Sequence, residues 1–213
     1  MNRYLLSASR SKVTSIILAN ELTYVPLPNR FYSTASDSSV LEYVLDALWT
    51  VFDNILILTP IEPPIDILER INPVGARIIM DKNKSPPEML STALEFVETP
   101  VTVLVSGDRP LLKPNILFTV GYSINQYEVA IPRWKNMKVE PFLASYRTSV
   151  LKKFVNKLKS QDDFYKLPDM LTDVLYLSVE SELTALDPEL YSFIELKSFN
   201  DREKILKIIG SKC

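Results

Sequence analysis

Residues 101–112 read VTVLVSGDRPLL, and this stretch decides the fold. It opens as an unbroken, valine-rich apolar run. Such a run suits a strand buried on both faces, inside a parallel sheet covered by helices. It breaks at Ser106-Gly107-Asp108-Arg109-Pro110. Gly107 permits a tight turn and Pro110 ends the hydrogen-bonded ladder. Asp108 is thereby expected at the C-terminal tip of a central strand, the edge where open α/β sheets bind ligands. Two roles are open to it: contact with a ligand, or a cap for the following turn or helix, which asparagine or serine would fill equally well.

Working outward, apolar runs and helical patterns alternate. Residues 13–19 (VTSIILA), 54–59 (NILILT) and 76–80 (ARIIM) read as strands. Between them lies a helix from residue 40, its apolar positions at helical spacing, with Ser38 or Ser39 as cap and Glu42 placed for a capping box. A short helix is expected at 65–71, and another after Ser85-Pro86-Pro87, with proline in its first turn. Beyond the central strand, a helix is expected at 114–126 and a strand at 128–131. Alternation of this kind predicts βαβ units: an α/β fold with a doubly wound, mostly parallel sheet and helices on both faces. One domain is expected over 1–213, with a polar arm at 1–12.

Three regions depart from the alternation. Residues 20–39 are polar, contain Pro26 and Pro28, and read as a long loop, which is unusual unless functional. Residues 131–147 hold a basic segment followed by PFLASY, a strand leaving and re-entering the sheet. Arg133, Lys135 and Lys138 are candidates to face an anion or simply solvent. After a helix at 148–158, a further helix is expected at 169–177, running into a strand at 175–183. A final helix, capped by Ser198 or Asn200, spans 201–209 and ends at Gly210.

Composition narrows the chemistry. The chain has 213 residues, 46% of them hydrophobic and 23% charged, with a formal net charge of −2. There is no basic excess of the kind that marks a nucleic-acid partner. No apolar run approaches the roughly 20 residues of a membrane helix, and a cytoplasmic location is the default expectation. Histidine is absent, which removes Ser-His-Asp and Cys-His nucleophilic machinery. The single cysteine is Cys213, so cysteine-bound zinc is excluded. Any metal must take oxygen ligands, which points to magnesium, manganese or calcium. The 4 glycines, at 75, 107, 121 and 210, cannot write a Walker loop or a Gly-x-Gly-x-x-Gly loop.

The order of these pieces resembles the MobA-like nucleotidyltransferases, over residues 13–209. VTSIILA resembles the family's first strand, and LEYVLDALWTVFDNILILT (41–59) its first helix and second strand. VSGDRPLL (105–112) resembles its metal-binding aspartate motif, the most specific match. AIPRWKNMKVEPFLASYRTSVL (130–151) resembles the substrate-side segment, and DPELYSFIELKSFNDREKIL (187–206) the closing segment. The resemblance implies a nucleotide-diphospho-sugar transferase type of fold. It also implies magnesium-dependent transfer of a nucleoside monophosphate from a nucleoside triphosphate to a phosphorylated acceptor such as a molybdopterin-type cofactor. It makes Asp108 the catalytic and metal-binding carboxylate; Glu195, about where the family has an asparagine near the metal, is a second metal ligand or a solvent-facing side chain. Arg30 and Arg133 become phosphate contacts.

The sequence also departs from that family. After the first strand the family carries a glycine-rich signature, whereas this chain continues Asn20-Glu21-Leu22-Thr23-Tyr24-Val25-Pro26. Side chains there obstruct the approach of main-chain N–H groups to a triphosphate, and Glu21 adds a like charge. The segment that cradles the base is replaced by Ser85-Pro86-Pro87. A homologue that has lost catalysis and serves as a ligand-binding or protein-interaction module is therefore the alternative expectation.

Overall fold

Seven strands form the main sheet of the computed structural model, which describes residues 12–28, 37–72, 75–82 and 85–210. In chain order the strands are β1 (Val13–Leu18), β2 (Pro26–Leu27), β3 (Ser38–Ser39), β4 (Asn54–Thr59), β5 (Arg77–Met80), β6 (Val101–Ser106), β7 (Val129–Arg133), β8 (Leu143–Arg147) and β9 (Val174–Ser178). The helices are α1 (Val40–Trp49), α2 (Ile65–Ile71), α3 (Pro86–Glu95), α4 (Pro114–Tyr122), α5 (Thr148–Val155) and α6 (Phe199–Gly210). The sheet runs β5-β4-β1-β6-β8-β7-β9, while β2 and β3 pair separately as a small antiparallel ribbon. Within the main sheet only β8 runs against its neighbours.

Strand alternation sorts the core into two layers. Val101, Val103 and Val105 of β6 pack with Leu41, Val44 and Leu48 of α1 and with Ile116 and Val120 of α4. Leu104 and Ile16 face the other side, where Leu90 and Leu94 of α3 and Leu151 of α5 cover them. Every residue of β6 is buried. That explains why this strand reads as a continuous apolar run rather than an alternating one.

The helix starts follow their sequence signals. Ser39 accepts from the Glu42 N–H while the Glu42 carboxylate accepts from the Ser39 N–H at 2.6 Å. Ser85 and Glu88 form the same reciprocal box, with Pro86 and Pro87 in the first turn. Ser198 caps α6 through Asp201, whose carboxylate accepts from the Ser198 hydroxyl at 2.8 Å.

Two expectations are corrected. Residues 169–177 are not a helix: a 3-10 segment spans Gln161–Met170, with Pro168 inside it, and β9 follows at Val174–Ser178. The apolar spacing there permits a helix, but β7 offers an open edge that five register pairs of β9 satisfy. Residues 20–39 are not a plain loop either. They carry a 3-10 turn at Glu21–Tyr24 and both strands of the β2–β3 ribbon.

Candidate active site

The chain places β1, moves outward through β4 to β5, then returns to lay β6 on the other side of β1. The strand order therefore reverses between β1 and β6. At such a reversal the connections leave in opposite directions and open a crevice at the C-terminal strand ends. Leu18 and Ser106 are paired there, and the Gly107 N–H donates to the Leu18 carbonyl at 2.8 Å. Asp108 is the next residue, so β6 delivers it to the switch point.

Asp108 is 8% exposed, and its Oδ1 is buried without a hydrogen-bond partner. Helix α4 starts at Pro114 with Lys113 at its cap, so Asp108 does not cap that helix. Burial pushes the Asp108 carboxyl above the usual carboxylate range. The Ser106 hydroxyl opposes this, Glu195 adds to it, and Arg109 and Lys197 pull it back. A buried carboxylate oxygen without a donor is costly to ionise, and a bound cation would remove that cost.

Next to Asp108 lies Arg109, only 1% exposed. Its guanidinium donates to Glu140 at 2.6 Å, to Glu195, and to the Ser192 carbonyl at 3.4 Å. The Trp134 indole N–H donates to Glu140 at 2.8 Å, and Lys138 lies 3.1 Å from the same carboxylate oxygen. Burial alone would raise the Glu140 carboxyl, but Arg109, Trp134 and Lys138 together hold it below its ordinary value. The second oxygen of Glu195 meets the Lys197 ammonium at 2.6 Å. Arg109 thus fastens the tip of β6 to the β7–β8 connection and to the closing segment.

The sequence candidates separate in space. Asp108 and Glu195 come together, and Glu195 is close enough to raise the Asp108 carboxyl. Arg133 ends β7 at the same sheet edge, with its guanidinium 3.8 Å above the Tyr176 ring. Arg30 lies outside the described residues. Arg109, Glu140 and Lys197 carry the electrostatics of the site, and sequence reasoning gave them no role. Only the position of Arg109 inside the strand-tip motif signalled it. Its carboxylate partners are 31 and 86 residues away.

The turn after β1 occupies the ground of the absent glycine loop. Asn20 caps it, accepting from the Leu22 N–H at 2.8 Å, while its own N–H donates to the Thr23 hydroxyl at 2.9 Å. The Thr23 N–H donates to the Asn20 carbonyl. Three main-chain donors are thereby used inside the turn. Tyr24 anchors it to the end of β4 through a 2.8 Å bond to Thr59.

Among the described residues no three histidine, cysteine, aspartate or glutamate side chains form a metal cage. The donors do fit magnesium or manganese held jointly with substrate. Such ions use one or two carboxylates and complete their shell with phosphates and water. Asp108 offers a free oxygen. Glu195, whose two oxygens accept from Arg109 and Lys197, is the second carboxylate beside it.

An open α/β sheet with a carboxylate at its switch point belongs to the class of architectures that bind ligands at that edge. Residues 31–167 match the model of the MobA-like NTP transferase domain, and the chain belongs to that family. The first strand, the whole Asn20–Tyr24 turn and the closing segment lie outside the match. The chain is 23% identical over 175 residues to a Methanosarcina mazei protein described as "Probable molybdenum cofactor guanylyltransferase", covering 79% of this chain and 78% of that one. The crystal structure of molybdopterin-guanine dinucleotide biosynthesis protein A from Archaeoglobus fulgidus superposes with a TM-score of 0.68 at 21% identity, over 93% of this chain and 99% of that one. A Mycobacterium tuberculosis protein in complex with manganese gives a TM-score of 0.63 at 17% identity, over 92% and 98% respectively. These two structures bear on the fold, which is as the strand pattern implied. No helix among the described residues is long and apolar enough to cross a membrane.

Proposed function

We propose that the chain is a single-domain, divalent-metal-dependent nucleotidyltransferase. It moves a nucleoside monophosphate from a nucleoside triphosphate to a phosphorylated acceptor of the molybdopterin-cofactor kind. The observation that carries this reading is the buried, unpartnered Oδ1 of Asp108 at the switch point of a MobA-like sheet. An acceptor phosphate oxygen attacks the α-phosphorus in line, the α–β bridging P–O bond breaks, and pyrophosphate leaves. Magnesium, held by Asp108 and the substrate phosphates, would neutralise charge on the phosphate oxygens. Asp108 orients the triphosphate, and the Arg109–Glu140–Glu195 cluster fixes the walls around it. Arg133, whose guanidinium stacks on Tyr176, and Arg30 are the residues assigned to the phosphates in this reading.

The test is pyrophosphate release with GTP, CTP or ATP, magnesium and a molybdopterin-type acceptor. Magnesium-dependent release with one nucleotide is expected. No release and no rise in melting temperature with any nucleotide at millimolar concentration, where binding should stabilise the native state, would overturn the reading.

One observation favours a second reading, a binding module without catalysis. The turn at 20–24 consumes its own N–H donors and carries Glu21. A nucleotide-dependent rise in melting temperature without turnover would select it. Replacing Asn20 and Glu21 with glycine should then strengthen nucleotide binding if the turn is the obstacle.

A further inference from the structure

The main-chain N–H of Leu196 donates to the carbonyl of Asp108 at 2.8 Å. The backbone therefore brings the neighbours of Leu196 to the strand tip. They are Glu195 and Lys197, ion-paired at 2.6 Å. Glu195 is anchored on its other side by buried Arg109, so the Lys197 ammonium is held from a fixed point. The Lys197 side chain is still 67% exposed. It also borders a cavity of about 180 Å³ that Leu22 and Val25, of the turn and the residue just after it, help to line.

Among the described residues, the other cations near this edge are held by partners away from the Asp108–Leu196 bond, Arg202 of the same cavity by the Pro26 carbonyl. Arg109 is buried against two carboxylates and a carbonyl. Arg133 stacks on Tyr176. Lys138 pairs with Glu140, and Lys113 with Asp187. Lys197 is the most exposed of the lysines paired here, at 67% against 50% for Lys138 and 27% for Lys113, and it follows the residue bonded to the Asp108 carbonyl. The turn beside it has spent the N–H groups of Asn20, Leu22 and Thr23 on itself.

We propose that Lys197 binds the nucleotide's phosphates, supplying by a side-chain ammonium the positive charge that the turn after β1 no longer supplies from its main chain. This inference rests on the nucleotidyltransferase reading and names a substrate-binding residue within it. Charge-assisted bonds to phosphate are strong and indifferent to the base. Lys197 therefore sets affinity without setting base choice.

The experiment compares wild type, Lys197→Ala and Asp108→Asn by calorimetric titration with magnesium and two probes: the preferred nucleoside triphosphate and inorganic tripolyphosphate. Lys197→Ala should weaken both by about tenfold or more, the scale of one charge-assisted hydrogen bond. Unchanged affinity in Lys197→Ala, with binding lost in Asp108→Asn, would overturn this inference and leave the wider reading standing. Loss for the nucleotide but not for tripolyphosphate would also overturn it, since the contact would then not be to phosphate. Absence of binding by wild type would overturn both.

Discussion

Gly107 lies so close under Thr23 that a side chain at 107 would force its neighbours to give way. A Cβ there would come within 3.0 Å of the Thr23 side chain and within 3.0 Å of the Leu18 carbonyl oxygen. The turn packed on the strand tip therefore favours glycine there, although the backbone of Gly107 is not in the left-handed region. The same contact seats the residues 20–24 turn at the C-terminal edge of β1 and β6, beside Asp108.

Gly107→Ala should therefore lower stability by about 1–3 kcal/mol, the usual cost of forcing atoms into a packed site. Adding Thr23→Ala should recover little, because the Leu18 carbonyl is backbone and cannot yield. Urea denaturation of both variants checks this. Unchanged midpoints would mean that the turn moves away freely.

The Arg109 cluster makes a second prediction. Arg109 and Glu140 are 1% and 4% exposed and 2.6 Å apart. Arg109→Met leaves two carboxylates facing each other without their shared cation and should cost about 3–5 kcal/mol. In a Glu140→Gln, Glu195→Gln background the same change should cost much less, since no unpaired charge remains. Equal costs in both backgrounds would show that packing, not charge, holds the cluster.

Asp187 supplies the pH dependence. Its carboxylate is fully buried, accepts from the Ser192 N–H at 2.7 Å and pairs with Lys113 at 2.6 Å. Burial would raise the carboxyl, but Lys113 and Ser192 outweigh it and hold it below its ordinary value. A depressed folded-state value means stability that is fully present above the unfolded value of about 4 and lost as pH falls below it. Asp187→Asn should thus cost about 1.5 kcal/mol at pH 7. Its melting temperature should converge with wild type as the pH drops through 4. A gap that stays constant with pH would remove the ion pair as its cause.

Much of the fold was legible because it is written in local patterns. The buried run of β6, the Ser39–Glu42 and Ser85–Glu88 boxes and the proline-led α3 are each decided within a few residues. The stretch at 169–177 is ambiguous because its apolar spacing suits either a helix or a strand, and only the open edge of β7 decides between them. At the site, the tip position of Asp108 could be read from the glycine and proline around it. The pairing of Arg109 with Glu140 and Glu195 could not, because it depends on where the β7–β8 connection and the closing segment come to rest. Lys197 was hidden for the same reason. Its neighbourhood is created by one main-chain bond, from Leu196 to Asp108.

The central claim is that Asp108 holds a metal-nucleotide complex, and Asp108→Asn tests it most directly. The change keeps the shape of the side chain and removes a buried charge whose Oδ1 has no partner, so the apo protein should melt at the wild-type temperature or slightly above it. Wild type should gain melting temperature with magnesium plus at least one of GTP, CTP or ATP, and Asp108→Asn should lose that gain. A variant that keeps the full magnesium-dependent shift would contradict the account.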